Sequence, residues 1–202
     1  MKQNFILISL FFILINPFTI SSGLPLDNNE LEIVSSLDLK KFQGTWYEIA
    51  HNPWFPEKGC FAMIAHYKLI EDNQIEVTNI CRKNGFDGEI KKVTGKAWLV
   101  DPTIKSKWVV QFIWPFTLDY WIIDLGDSYN YAVIGEPEKE NLWILSREPF
   151  MQKEIFPRII QTTKSKGYDL SNLILTPQDP LYSKCLTQWI KEDNKKKDDQ
   201  AC

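Results

Sequence analysis

The sequence is poor in the residues from which most metal centres and covalent catalysts are built. It contains two histidines and four cysteines among 202 residues, and neither a C-x-x-C nor an H-E-x-x-H motif occurs. The G-x-S-x-G turn that presents a nucleophilic serine is also missing. We therefore expect no metal, no cofactor and no catalytic residue.

The charge distribution and the length of the apolar runs argue against two other classes of protein, those that bind nucleic acid and those that span a membrane with a helix. The net charge is −3 and the basic residues are scattered, so there is no positive patch for nucleic acid. The longest apolar run, Phe5–Ile15, is well short of the ~20 residues that cross a bilayer as a helix. Nucleic acid is therefore not an expected partner, and a membrane-spanning helix is not expected either.

The N-terminus has the pattern of a secretory signal peptide. Lys2 precedes the apolar run, and small residues follow it up to Gly23. The first cysteine is Cys60, so the cysteine that an acylated lipoprotein needs is missing. We expect an exported protein, periplasmic or secreted and not lipid-anchored, with a signal peptide at 1–23, a barrel domain at 24–180 and a charged tail at 181–202.

Short runs of alternating polarity predict an all-β fold. Turn residues separate eight such runs, and no alternation of strands with helices occurs among them. A helix at Met151–Lys166 with a cap at Gly167, and a short strand at Leu173–Leu175, follow the last run. The pattern fits a sandwich and an up-and-down barrel equally well. The predicted strands are Gly44–His51, Phe61–Ile70, Gln74–Cys81, Glu89–Val100, Lys107–Trp114, Asp119–Leu125, Tyr129–Glu136 and Asn141–Glu148.

Three motifs in order resemble the signatures of the lipocalin family. They are Gly44-Thr45-Trp46 after the helical turn Asp38–Phe42, the run from Asp127 to Ala132, and Arg147 after a β-strand. The resemblance is nearest to bacterial outer-membrane lipocalins and apolipoprotein-D-like lipocalins. It implies an eight-stranded antiparallel up-and-down β-barrel with one C-terminal α-helix packed outside.

The resemblance also implies what the signature residues do. Trp46 lies across the closed end of such a barrel, and Arg147 stacks on it while donating to nearby carbonyls. Asp127 suits a turn, and Gly44 and Tyr131 complete the structural set. None of them is expected to touch a ligand.

Strand parity then selects an inward face that is apolar and aromatic. Lys107 and Gln111 share one face of their strand, so Trp108 takes the other face. The same reasoning is applied to the remaining strands; for Asp119–Leu125 the parity is ambiguous, and we favour Tyr120 inward. The candidate ligand-binding residues are Met63, Tyr67, Ala97, Leu99, Trp108, Val110, Phe112, Tyr120, Ile122 and Trp143.

Four cysteines in an exported protein allow three disulfide connectivities. We favour Cys60–Cys81, because an antiparallel hairpin brings both to one end of the barrel. A regular register leaves them ~13 Å apart, so a bulge or a folded-back loop is required. Cys185–Cys202 would then pair in the tail. The rival link, Cys60–Cys185, resembles one in apolipoprotein-D-like lipocalins.

The resulting functional hypothesis is a carrier of a small hydrophobic ligand rather than an enzyme. The ligand would be a fatty acid, lysophospholipid or similar lipid, in membrane lipid maintenance or stress response, as the resemblance implies. A lipocalin-fold enzyme acting on a lipid or isoprenoid is one alternative, disfavoured because neither His51 nor His66 has an evident partner. Haem or tetrapyrrole binding through His51 at the rim is another. We further expect peripheral membrane contact, and a monomer or homodimer.

Overall fold

The computed structural model describes residues 30–71 and 74–178. The expected signal peptide, Cys185, Cys202 and the tail lie outside these residues. No described helix is both long and apolar enough to cross a membrane.

Eight antiparallel strands close into a barrel, which decides the architecture that the sequence pattern left open. The sheet order is β2-β3-β4-β5-β6-β7-β8-β1-β9, and pairing of β1 with β2 closes the ring. The strands are β1 (Gly44–His51), β2 (Cys60–Glu71), β3 (Gln74–Lys83), β4 (Ile90–Leu99), β5 (Lys107–Ile113), β6 (Phe116–Leu125), β7 (Tyr131–Gly135), β8 (Leu142–Ser146) and β9 (Ile174–Leu175).

Two helices accompany the barrel. The first, α1 (Leu39–Phe42), begins at Asp38, whose Oδ1 accepts hydrogen bonds from the N–H groups of Lys40 and Lys41 at 2.9 and 3.3 Å. The second, α2 (Ile155–Ser165), starts four residues later than the sequence predicts. It ends before Gly167, whose φ of +90° is the left-handed conformation expected at that cap.

The barrel has two different ends because its strands run alternately up and down. The open end carries the connections at 52–59, 84–89, 114–115 and 136–141, whereas the closed end carries α1 and the connections at 100–106 and 126–130. Val34 and Leu37, from the segment before α1, pack against the interior at the closed end. The N-terminal segment and α1 therefore seal the interior of the barrel at its closed end.

The hydrophobic residues form two cores, one on each face of the sheet. The interior core contains Trp46, Tyr67 and Trp108. The outer core lies between α2 and strands β1, β7 and β8, where Phe156 and Ile159 are buried with Ile144. Gly135 belongs to this outer contact, because a Cβ there would lie 2.0 Å from the hydroxyl of Tyr168. The helix thus covers one side of the barrel and leaves the open end uncovered.

The last described residues fill a gap in the barrel wall. β1 pairs with β2 only between Gly44 and Tyr47, at the closed end. Above that point, residues 174–178, the closing segment, lie between the two strands. Leu175 pairs with Ala50 of β1, and the Ala62 N–H of β2 donates to the Pro177 carbonyl at 2.7 Å. The closing segment therefore completes the wall where β1 and β2 diverge.

The disulfide joins Cys60 to Cys81, which confirms the favoured pairing. Their Cα atoms are 5.4 Å apart. The register of β2 against β3 shifts between Phe61 and Ile64, and this is the bulge that the pairing requires. Ala62 within it has a φ of +49°.

Candidate functional site

The closed end is held by an arginine stacked on a tryptophan. The Arg147 guanidinium carbon lies 3.8 Å from the centre of the Trp46 ring. Arg147 also donates to the carbonyls of Thr45 at 2.9 Å and Lys41 at 2.7 Å. Gly44 has a φ of +95°, and a Cβ there would approach the same guanidinium to 3.4 Å. These groups act as a structural plug because their donors are occupied by backbone carbonyls.

Two other signature residues lie away from the barrel interior. Tyr131 is buried in the outer core, and its hydroxyl is 3.4 Å from Oδ1 of Asp124. Asp127 is exposed in the turn between β6 and β7. Both positions are structural in character, and neither faces the space in which a ligand would lie.

Above the plug of Trp46 and Arg147, four aromatic rings fill the lower half of the barrel: Phe42, Tyr67, Trp108 and Tyr120. Phe42 contacts Trp46, Tyr67 and Trp108, with ring centres 4.9, 5.3 and 5.2 Å apart. Trp108 lies 6.1 Å from the ring of Tyr120, in a stacked geometry. The Tyr67 and Tyr120 hydroxyls hydrogen-bond to each other, and burial raises the pKa of both well above its ordinary value. This layer is a closed floor.

The upper half of the barrel is less tightly filled. Leu118 pairs beside Val110, and Tyr120 beside Trp108, so both side chains point inward. Leu118 and Phe112 pack on the interior core yet stay partly exposed. A side chain that faces inward and remains exposed borders space that solvent reaches from the open end. Gly95 makes room for the Phe112 ring, since a Cβ there would lie 2.7 Å from that ring and 2.5 Å from the Gln111 carbonyl oxygen.

Most candidate ligand-binding residues come together in the interior. Met63 is the exception: it is buried but belongs to neither core, and it lies within the register shift of β2. Those in contact with the interior core are Tyr67, Ala97, Leu99, Trp108, Val110, Phe112, Tyr120, Ile122 and Trp143.

A buried polar cluster at the open end was not predicted from the sequence. Glu48, His51 and Glu57 are 2, 5 and 8% exposed. Nδ1 of His51 lies 3.5 Å from a Glu57 carboxylate oxygen, and Nε2 lies 3.9 Å from a Glu48 oxygen. The expectation that His51 sits at the rim without a partner is therefore wrong. His66, in contrast, is exposed, and its Nδ1 is 3.0 Å from the Thr45 hydroxyl.

A β-bulge in β1 explains why sequence parity missed the cluster. Glu48 pairs beside Leu145 and His51 beside Trp143, so both share the interior face although they are three positions apart in the sequence. The register shift between Glu48 and Ala50 inserts one residue and reverses the parity after it. Glu57 arrives from a 3₁₀ turn, Phe55–Glu57, in the following loop.

Burial makes both carboxyl groups of the cluster hard to ionise. Loss of solvent raises the pKa of Glu48 to about 7, and loss of solvent together with the Glu48 charge raises the pKa of Glu57 to about 8. Thr176 of the closing segment hydrogen-bonds to the Glu48 carboxylate, and Trp143 Nε1 donates to Glu57 at 3.2 Å. Near neutral pH the cluster can share a proton or accept a cation.

Comparison with known proteins places the chain in one family. The family model described as "Lipocalin-like domain" matches residues 37–178. "Temperature-induced lipocalin-1" of Arabidopsis thaliana is 36% identical over 161 residues, covering 75% of this chain and 85% of the relative. "Outer membrane lipoprotein Blc" of Escherichia coli K12 is 31% identical, covering 72% and 82%. "Apolipoprotein D" of Mus musculus is 32% identical, covering 72% and 79%.

Solved structures agree with the fold. Insecticyanin from the tobacco hornworm Manduca sexta superposes with a TM-score of 0.60 at 24% identity, covering 76% of this chain and 87% of that one. Lobster apocrustacyanin A1 superposes with a TM-score of 0.56 at 16% identity, covering 76% and 93%. At these identities the likeness concerns the barrel alone.

Proposed function

This chain belongs to the lipocalin family, whose members bind small hydrophobic ligands, and from that premise we propose that it carries a single-chain lipid in the upper half of its barrel. The ligand is a fatty acid or a lysophospholipid. The observation that carries the proposal is the partial exposure of inward-facing apolar side chains above the aromatic floor.

The energy available from burial is sufficient for such a ligand. Each methylene removed from water contributes about 0.8 kcal/mol, so a dozen methylenes contribute roughly 10 kcal/mol before ordering costs. The acyl chain would lie against the floor formed by Trp108 and Tyr120 and beside Phe112 and Trp143, with its polar end toward the open end. The wall gives few polar contacts along the chain, so we expect weak discrimination among chain lengths.

A fluorescence titration with a matched pair of variants tests the proposal. Leu118 and Thr117 are neighbours on β6, but Leu118 faces the interior and Thr117 is exposed. Leu118→Glu places a charge in the lipid path and should weaken binding at least tenfold, because an uncompensated carboxylate in an apolar wall is costly. Thr117→Glu adds the same charge outside and should bind like the wild type. Equal affinities for the two variants, or no fluorescence change with any chain length, would refute the proposal.

The open end also carries an apolar rim suited to a lipid bilayer. The four most exposed large hydrophobic side chains among the described residues, Phe55, Trp114, Phe116 and Ile113, are 87, 82, 74 and 68% exposed. All four lie on the connections or strand ends of the open end. Exposed apolar clusters of this kind mark interaction surfaces, and tryptophan favours the bilayer interface. We propose that this rim contacts the membrane from which the lipid is taken.

Vesicle binding distinguishes a specific membrane contact of the rim from nonspecific hydrophobic adsorption of the protein. Trp114→Glu should reduce co-sedimentation with phosphatidylcholine–phosphatidylglycerol vesicles, whereas Val100→Glu should not. Val100 is 62% exposed but lies at the closed end, so it is a matched control. Equal losses in both variants would mean that the rim has no special role.

Biological setting is inferred from the disulfide and from the relatives. The Cys60–Cys81 disulfide supports an oxidising compartment and hence export. Relatives named as temperature-induced and as an outer-membrane lipoprotein support a role in membrane lipid maintenance or stress response. Native mass spectrometry of protein from its own source tests both points, since it gives the mature N-terminus and any bound lipid. A mature chain that begins at Met1 would contradict export through cleavage near Leu24.

A further inference from the structure

We propose that Glu48, His51 and Glu57 form a binding site for a divalent transition-metal ion, with Zn²⁺ as its reference probe. The site lies at the open end of the barrel, on the interior face beside Trp143. The proposal is independent of the lipid ligand, because it rests on this cluster alone.

The spacing of the donor atoms is close to that of a coordination site. One donor atom from each of the three residues lies within 4.8 Å of the other two. Ligands at about 2.1 Å from a tetrahedral ion are roughly 3.4 Å from one another. Nε2 of His51 is 3.9 Å from Glu48, about half an ångström more than a loaded site requires. Glu57 now lies 3.5 Å from Nδ1, and it would have to shift toward Nε2 on loading.

The histidine is held in the orientation that metal binding uses. Nδ1 of His51 is 2.7 Å from the Asn52 carbonyl oxygen. A carbonyl only accepts, so Nδ1 donates its hydrogen to it, and Nε2, which points toward Glu48, is the nitrogen available to coordinate an ion. Metal-bound histidines almost always donate their other N–H to such an oxygen.

Each carboxylate is also fixed by a group outside the cluster. Thr176 hydrogen-bonds to Glu48, and the Trp143 indole N–H is 3.2 and 3.3 Å from the two Glu57 oxygens. All three candidate ligands thus have an outer partner that restricts their rotation. Such partners orient ligands in known metal sites, and they come from β8, the closing segment and the connection after β1.

The chemistry of the donors suits a cation. Two acidic side chains are buried here, and among the described residues their ion-pair contacts are with His51 alone. A bound cation would give both groups the partner that a buried carboxylate needs in order to ionise. One imidazole and two carboxylates are a donor set for Zn²⁺, Mn²⁺, Fe²⁺ or Co²⁺, and three protein ligands leave a further position for water or a small ligand.

The chain offers its own control, because it has two histidines and only one is in the cluster. The test uses the full chain after chelator treatment, with Cys185→Ser and Cys202→Ser in every sample so that no cysteine outside the described residues contributes to metal binding. Calorimetry with Zn²⁺ should give one site per chain. His51→Gln and, separately, Glu57→Gln should each weaken it at least tenfold, while His66→Gln should leave it unchanged.

A second readout reports the location of the ion. Co²⁺ bound in the cluster would lie next to the Trp143 indole and should quench part of the tryptophan emission, with visible absorption bands that report the coordination geometry. Both signals should be lost in His51→Gln but kept in His66→Gln, with circular dichroism showing that each variant is folded. No saturable binding below millimolar metal, or binding that His51→Gln leaves intact, would overturn the proposal and leave a proton shared by the two carboxyls as the occupant.

Discussion

Replacing Arg147 by lysine separates the geometry of the plug from its charge. The guanidinium donates to Thr45, Lys41 and Phe42 carbonyls at 2.9, 2.7 and 3.1 Å and stacks on Trp46 at 3.8 Å. An ammonium keeps the positive charge but is not planar, so it cannot stack and reach several carbonyls at once.

The expected loss follows from the bonds that lysine cannot replace. A lysine retains about one of these contacts, which leaves two charge-assisted hydrogen bonds unmade. At the lower end of their range, because the group is partly exposed, each is worth about 1.5 kcal/mol. The free energy of unfolding should therefore fall by about 3 kcal/mol, which corresponds to roughly 6–12 °C in melting temperature for a domain of this size.

Urea unfolding followed by tryptophan emission measures this difference with the disulfide intact. Arg158→Lys is the matched control, since Arg158 is exposed on α2 and its guanidinium is 5.9 Å from the Tyr131 ring. The control should stay within about 0.5 kcal/mol of the wild type. If Arg147→Lys unfolds at the same urea concentration as the control, the carbonyl contacts contribute no stability and the plug interpretation fails.

Three further perturbations test other parts of the structure. Gly135→Ala should lower the free energy of unfolding by about 1–3 kcal/mol, because the new Cβ would overlap Tyr168; unchanged stability would mean that Tyr168 sits farther away. Replacing Cys60 and Cys81 together by serine should cost about 3 kcal/mol for a loop of 21 residues, and equal urea midpoints would contradict this. The pKa values of the buried Glu48 and Glu57 carboxyls are raised, so the native state holds protons that the unfolded state releases. The free energy of unfolding should therefore fall between pH 5 and pH 8. Its slope should be up to about 1.4 kcal/mol per pH unit for one proton. Glu57→Gln should flatten that slope in chelator-treated protein, whereas a flat wild-type profile would contradict the assignment.

The sequence predicts the regular part of this molecule well because alternation and turn chemistry are local. β1 has the bounds expected from its pattern, and the helix that follows the barrel ends where Gly167 requires it. The candidate wall follows from parity wherever a strand is unbroken, as for Trp108 in β5.

The parts that the sequence did not predict depend on bulges, which alternation does not reveal. The bulge in β1 places His51 inside with Glu48. The disulfide differs from this case, because its distance in a regular register already indicates that β2 needs a bulge or a folded-back loop. Glu57 enters through a loop whose path depends on tertiary contacts such as that with Trp143. The low number of histidines is therefore the reason that the sequence predicts no metal site. It does not reveal that His51 lies between Glu48 and Glu57.

The closing segment also sets the order in which the chain finishes folding. Residues 174–178 leave the ribosome after every strand of the barrel has been made, yet they bond to Ile49, Ala50 and Ala62 near its beginning. Until they dock, β1 and β2 expose unpaired backbone groups at the open end, the condition that promotes edge-to-edge association. A chain truncated before residue 174 should therefore contain all eight barrel strands and still be prone to aggregate during synthesis and export.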